Sequence, residues 1–276
     1  VTIPLDTVQR ALAERYRIES RLGGGGMADV FAGEEAASGR KVAVKVLRPE
    51  FAATLLGERF HREIAFLSGL NHPNILPLLE SSEAAGFVFY TMPFAGGESL
   101  KRRLEREGRL SLDDTLTVTR DVAAGIDHAH ERQVIHRDIK PHNVMFHEGR
   151  ATICDFGVAR ALVKAGGERL STSGLVVGTP YYMSPEQVGG SRDIDHRADI
   201  YSLACVVYQM LVGEPPFTGR TAQAVMAKHA RERPPVLRVV RSEIPECVEA
   251  ALLRALAKNP AGRPASAGAL VAEMEA

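Results

Sequence analysis

The 276 residues carry 34 basic and 34 acidic side chains and no formal net charge, which removes any general electrostatic case for nucleic acid or an anionic membrane surface as a partner. With 45% hydrophobic and 25% charged residues the composition is that of an ordinary globular protein, long enough for two lobes or one large domain. No run of 18 or more apolar residues is present to span a bilayer within these residues. The three cysteines, Cys154, Cys205 and Cys247, are odd in number and widely spaced. They fit neither a disulfide framework nor a zinc site, so a reducing, cytoplasmic setting is expected. The chain starts at Val1 without a basic-then-apolar leader and ends at Ala276 without a terminal signal, as a fragment of a longer, even membrane-anchored, protein would.

The first ninety residues read as strands around one helix. Tyr16 to Leu22 forms an apolar-rich strand, a glycine cluster follows, and Val30-Phe31-Ala32 resumes a strand. Lys41 to Leu47 alternates with period two, the pattern of a half-buried strand. From Leu56, apolar residues at Phe60, Ile64 and Leu67 recur at helical spacing until Asn71-His72-Pro73. Ile75 to Glu80 and Phe87 to Met92 are two further strands. After Gly96-Gly97 the periodicity is helical: Asp113 to Arg132, Asp199 to Val212, Thr221 to Arg231 and Pro245 to Ala257. Thr221 and Ser266 stand where helix caps are expected. A long stretch without a clear element, from Ala161 to Thr179, is of a length usually kept for function or motion. The expected fold class is α+β: a small antiparallel sheet lobe with one helix over about 1–91, a hinge at 92–97, and a larger helical lobe at 98–276. A ligand cleft between lobes goes with such an arrangement.

Several motifs carry chemistry. Leu22-Gly23-Gly24-Gly25-Gly26-Met27-Ala28-Asp29-Val30 lies between two strands, where a hairpin lacking Cβ atoms lies close over phosphates and offers its N–H groups. Alone, four glycines are equally a flexible turn. The cluster is followed by Lys45 in mid-strand and Glu63 on the next helix, a cation with a counter-charge able to hold it against nucleotide phosphates. Farther on come His136-Arg137-Asp138-Ile139-Lys140-Pro141-His142-Asn143, then Asp155-Phe156-Gly157, then Ser184-Pro185-Glu186. Chance production of these three motifs in this order is negligible.

From about Tyr16 to Met274 the chain resembles the eukaryotic-type (Hanks-type) protein kinases, and among them the bacterial serine/threonine kinases whose extracellular part carries repeated peptidoglycan-binding modules. The resemblance implies the bilobal kinase fold and transfer of the ATP γ-phosphoryl to protein hydroxyls. Asp138 would accept or orient the hydroxyl proton. Lys140 would neutralise charge on the transferring group, and with Gly178-Thr179 it favours serine or threonine over tyrosine. Asn143 and Asp155 would supply oxygen ligands to Mg²⁺ or Mn²⁺, and Lys45 with Glu63 would orient the phosphates. Around the nucleotide would stand Leu22, Gly23 and Gly25 of the loop, then Val30 and Ala43 above the adenine and Met145 below it. Thr91 would be the gatekeeper, the Met92 and Phe94 backbone the adenine contacts, and Glu98 the ribose ligand. Leu67, Leu78, His136 and Phe156 match a stacked apolar column anchored by Asp199, and Glu186 with Arg263 matches a buried ion pair.

The sequence departs from the family pattern in two places. Ala28 replaces the third glycine of the loop, and Met92-Pro93-Phe94 stands at the hinge; both bear on ligand preference more than on chemistry. Arg137 before Asp138 marks kinases that phosphorylate their own activation loop. Arg59, Arg137 and Arg160 are placed to receive the phosphate, with Ser171, Thr172 and Ser173 as acceptors, Ser173 and Ser171 first. The partners implied are proteins bearing serine or threonine and a second copy bound through the small lobe. Membrane contact would come only through a span outside these residues. The rival readings are an ATP-binding pseudokinase scaffold, opposed by the complete set Lys45, Glu63, Asp138, Asn143 and Asp155, and a small-molecule phosphotransferase, opposed by Ser184-Pro185-Glu186 and the Gly213 to Gly219 stretch.

Overall fold

The computed structural model describes residues 2–25, 28–49, 67–156, 180–191 and 193–276. They divide at Gly96–Gly97 into two compact units, one built on a sheet and one helical.

In the sheet unit, helix α1 (Leu5–Leu12) precedes strands β1 (Tyr16–Gly24), β2 (Ala28–Glu35), β3 (Lys41–Leu47), β4 (Glu80–Ala84) and β5 (Phe87–Pro93). The strands form one antiparallel sheet in the order β1-β2-β3-β5-β4. One face packs against the N-terminal segment: Ile3, Val8 and Leu12 meet Tyr16, Ile18, Phe31, Val42, Val44, Val46 and Phe89 in a single core. Asp6 in the first turn of α1 and Arg10 in the last both complement the helix dipole. The Gln9 side chain accepts the Ile18 N–H at 2.7 Å and fastens the helix to β1.

Three readings of this region change. Helix α1 was not anticipated. The strand expected at Ile75 to Glu80 begins instead at Glu80: Pro77 lacks an N–H for a ladder, and the approach to β5 starts only with the Leu79 N–H on the Thr91 carbonyl at 2.8 Å. The alternation in β3 is not half-burial, since Val42, Ala43, Val44, Val46 and Leu47 are all buried, as fits the middle strand of the sheet. The helix expected from Leu56 lies outside the described residues.

The helical unit contains α2 (Leu100–Glu107), α3 (Leu112–Glu131), a hairpin of β6 (Val144–His147) and β7 (Arg150–Ile153), α4 (Pro185–Val188), α5 (Arg197–Val212), α6 (Ala222–Arg231), α7 (Leu237–Val240), α8 (Glu246–Ala255) and α9 (Ala267–Glu275). Its pillar is α5, buried on every side from Ala198 to Tyr208, as a helix apolar all round must be. Side-chain oxygens start the helices around it: Ser99, Ser111, Thr221 and Ser266 accept the N–H groups of Arg102, Asp114, Ala224 and Ala269. Thr221 and Ser266 are the caps expected from sequence. The β6–β7 turn takes positive φ at both central residues, Glu148 at 50° and Gly149 at 78°, the twist that closes a two-residue hairpin. That hairpin sets Asn143, before β6, opposite Cys154, after β7, with Asp155 one residue beyond.

Candidate active site

The segment His136–Asn143 is held from beneath by one carboxylate. Asp199, fully buried in the first turn of α5, accepts the backbone N–H groups of His136 and Arg137 and a bond from His130 Nε2, each at 2.8 Å. Arg137 adopts φ 68°, a left-handed conformation costing about 1–3 kcal/mol in a residue with a Cβ. It is clamped on both sides, its N–H by Asp199 and its carbonyl by the Gln187 amide at 2.7 Å. Gln187 is in turn fixed by a reciprocal capping box with Ser184. His136 Nδ1 accepts the Asp138 N–H at 3.2 Å, so the ring proton sits on Nε2 and is donated to the Cys154 carbonyl at 3.0 Å. The same ring meets Phe156 edge-on at 4.7 Å.

Above this base stands a compact polar cluster. The Asp138 Oδ2 accepts from Lys140 Nζ at 2.6 Å and from Asn143 Nδ2 at 3.2 Å, and Asn143 Nδ2 also donates to the Asp138 carbonyl at 2.9 Å. With its amide nitrogen committed to Asp138, Asn143 has its Oδ1 left as the acceptor end. The Cys154 N–H donates to the Asn143 carbonyl at 2.9 Å, tying the hairpin's open end so that Asp155 follows one residue later. Asp155 has φ 66°, left-handed like Arg137. A carboxylate and an amide oxygen are hard donors of the kind that suits a divalent magnesium or manganese ion.

Burial alone would raise the Asp199 carboxyl, but the His130 bond and the Arg137 N–H bring it below its ordinary value. A carboxylate depressed on folding contributes stability above its unfolded pKa of about 4 and loses it as pH falls through the folded value. The urea midpoint of the wild type is therefore expected to drop more steeply below about pH 4 than that of Asp199→Asn. Acid limbs of equal slope in the two proteins would contradict this.

Similarity to known proteins agrees with that geometry. A family model described as the protein kinase domain matches residues 16–273. The chain belongs to the protein kinase domain family. It is similar to the serine/threonine-protein kinase pkn3 of Myxococcus xanthus, 38% identical over 98% of this chain and 51% of that protein. PrkC of Bacillus subtilis is 33% identical over 97% of this chain and 41% of its own length, and PknB of Mycobacterium tuberculosis is 36% identical over 97% and 44%. The chain thus spans about half the length of these curated relatives, or less.

In this kinase domain the register sorts the nucleotide candidates of the sheet unit. Val30 is paired with Lys45, and Ala43 with Met92, across adjacent strands, so all four share the face opposite α1. Lys45 Nζ lies 5.6 Å from the centroid of the Tyr90 ring. Thr91, one residue before Met92 in β5 and paired with Val44, is buried on the opposite, α1-facing side of the sheet, so the register turns the expected gatekeeper away from the face that these four share. Leu22 in β1 is exposed. Two expected contacts are already engaged. The Phe94 N–H, assigned to adenine, donates to the Lys41 carbonyl at 3.2 Å, so an adenine contact through that N–H requires the bond to yield. The Glu98 carboxylate, assigned to ribose, is paired with Arg106. Met145 of β6 forms an isolated bridge with Ser99, and Gly23 and Gly25 belong to the described base of the glycine hairpin. Glu63, Arg59, Arg160, Ser171, Thr172 and Ser173 lie outside the described residues. Arg137 donates through its guanidinium to the Ile194 carbonyl at 3.4 Å.

The sequence reading missed His130 and Gln187. Gln187 had a legible signal, the Ser184-x-x-Gln187 spacing of a capping box; His130 had none short of the fold. The Glu186–Arg263 pair is present and bidentate, at 2.7 and 2.8 Å. Among the described residues no helix is long and apolar enough to cross a membrane.

Proposed function

We propose that this kinase domain transfers the γ-phosphoryl group of Mg-ATP to serine and threonine hydroxyls of proteins, and to its own residues between Ala161 and Thr179. The observation that carries the reading is the Asp138 carboxylate fixed between Lys140 and Asn143. A carboxylate so held accepts the proton of an incoming hydroxyl. The Lys140 ammonium has three donors and spends one on Asp138, so the others serve the oxygens of the transferring group. Asn143 and Asp155 would hold the divalent ion, which would supply neutralisation of the phosphate charge. Lys45, Val30 and Ala43 on one sheet face would take the nucleotide's phosphates and base, with Leu22, Gly23 and Gly25 above the phosphates, Glu63 beside Lys45, and Met92, Phe94, Glu98 and Met145 around the adenosine. We assign the small lobe to 1–91, the hinge to 92–97 and the helical lobe to 98–276. A second copy bound through the sheet unit and a cytoplasmic setting complete the reading.

Incubation with Mg²⁺ and γ-labelled ATP is expected to label both the chain and a generic protein substrate, and Lys45→Met is expected to cut the rate by at least about 100-fold. Mass spectrometry of the labelled chain is expected to find phosphate on Ser173 or Ser171, with Thr172 next. Phosphate found only elsewhere removes that assignment; wild type no faster than Lys45→Met removes the transferase reading and leaves a nucleotide-binding scaffold.

A further inference from the structure

We infer that Asp29 is a positioning residue for the glycine hairpin, through which the N-terminal segment at residues 2–12 sets the hairpin's geometry and hence the affinity for nucleotide. The second half of this rests on the kinase reading above; the first half does not.

Asp29 is the second residue of β2, directly after the glycine cluster, and it is fully buried. Strand alternation turns Val30 to the nucleotide face, so Asp29 points to the opposite face, toward the N-terminal segment. Its carboxylate is surrounded by donors from three places in the chain. Arg21 of β1 donates to Oδ1 at 2.6 Å, the Ile3 backbone N–H donates to Oδ2 at 3.0 Å, and Arg48 Nε stands 3.6 Å from Oδ2. Burial pushes this carboxyl up, but the Arg21 bond, the Ile3 N–H and the Arg48 charge outweigh it and hold the group below its ordinary value. Two arginines on one buried acid, with a backbone amide taking the remaining oxygen, are more than a strand needs for its own pairing.

The arrangement is also fitted to the loop. Asp29 is paired with Gly24 across the β1–β2 ladder. A Cβ on Gly24 would lie 2.1 Å from Asp29 Oδ1 and 2.7 Å from Arg21 Nη2, so the Arg21–Asp29 pair occupies the space that glycine leaves. One residue on, the Gly25 N–H closes the hairpin on the Ala28 carbonyl at 2.9 Å. The N-terminal segment reaches this point because Ile3, Val8 and Leu12 are built into the sheet's core, and Pro4 begins α1 immediately after the Ile3 amide. The carboxylate therefore links the docked segment to the base of the loop through short, directional bonds, and these restrict how the loop lies over a phosphate.

The test compares wild type with Asp29→Asn and with Arg21→Met, the latter at a half-exposed position and so tolerated by the fold. Hydrogen exchange of a peptide covering residues 17–31 is expected to quicken by about 10-fold in Asp29→Asn and by about 3-fold in Arg21→Met, with exchange in α5 and β7 unchanged. The KM for ATP is expected to rise in the same order while kcat stays within about 2-fold. Wild-type exchange of this peptide in both variants overturns the inference. So does exchange that quickens uniformly across the chain with the KM unchanged, which would make Asp29 a residue of general stability. Quickened local exchange in a chain that transfers no phosphate supports the positioning role and sinks the kinase reading instead.

Discussion

Asp138→Asn is expected to lower phosphoryl transfer by about 10²- to 10⁴-fold while leaving the fold and ATP binding intact. The substitution keeps the shape of the side chain and one oxygen, so the Asn143 amide retains an acceptor. It removes the charge that draws in the hydroxyl proton, and it sets a neutral amide against the Lys140 ammonium at the 2.6 Å contact. The neighbouring backbone is fixed by other groups: Asp199 holds His136 and Arg137, and Gln187 holds the Arg137 carbonyl. Loss of rate in this variant therefore reports the carboxylate itself. Single-turnover measurement with saturating Mg-ATP is the check, alongside ATP affinity. A variant within about 5-fold of wild type would mean that Asp138 is not the proton acceptor.

Arg263→Ala is expected to cost about 3–5 kcal/mol of stability and to lower the melting temperature by about 10 °C. Arg263 is buried in the helical unit and grips both Glu186 oxygens. It also donates to the carbonyls of Ala257 and Arg197, each at 2.9 Å. Truncation leaves a largely buried carboxylate without its cation and two carbonyls without a donor. Arg263→Lys is expected to recover only part of the loss, because an ammonium cannot reproduce the two-pronged contact. Burial would raise the Glu186 carboxyl, but the Arg263 bond and charge hold it below its ordinary value. Its contribution is present above the unfolded carboxylate pKa and disappears as pH falls through the folded value. The gap between wild type and Arg263→Ala should thus be full at pH 7 and narrow below about pH 4. A gap that is constant across this range would assign the loss to packing rather than to the ion pair.

How much could be read from the chain depended on distance along it. Asp138, Lys140 and Asn143 fall within six residues, so their order alone announced a cluster that the hydrogen bonds then display. The ends of β3 and β5 were legible to within a residue, since apolar side chains end sharply at charged or proline positions. What escaped was set by tertiary contacts. Helix α1 spans eight residues and fully buries only Val8 and Leu12, with Leu5 and Ala11 packed partly against the core, too short a run for periodicity to register. Ile75 to Leu79 has the apolar content of a strand, and Pro77 prevents it from becoming one. His130 acts on a carboxylate 69 residues away and Asp29 on an amide 26 residues away; neither separation leaves a trace in local pattern. The hinge shows the converse case. Residue matching assigned the Phe94 N–H to a ligand, and the strand register spends it on Lys41.

The most direct test of the central claim is the chemical identity of the product. Wild-type protein incubated with Mg²⁺, γ-labelled ATP and a protein substrate, followed by acid hydrolysis, is expected to yield labelled phosphoserine and phosphothreonine, and Asp138→Asn almost none. Label on tyrosine alone, or wild-type transfer no greater than that of Asp138→Asn despite bound ATP, would contradict it.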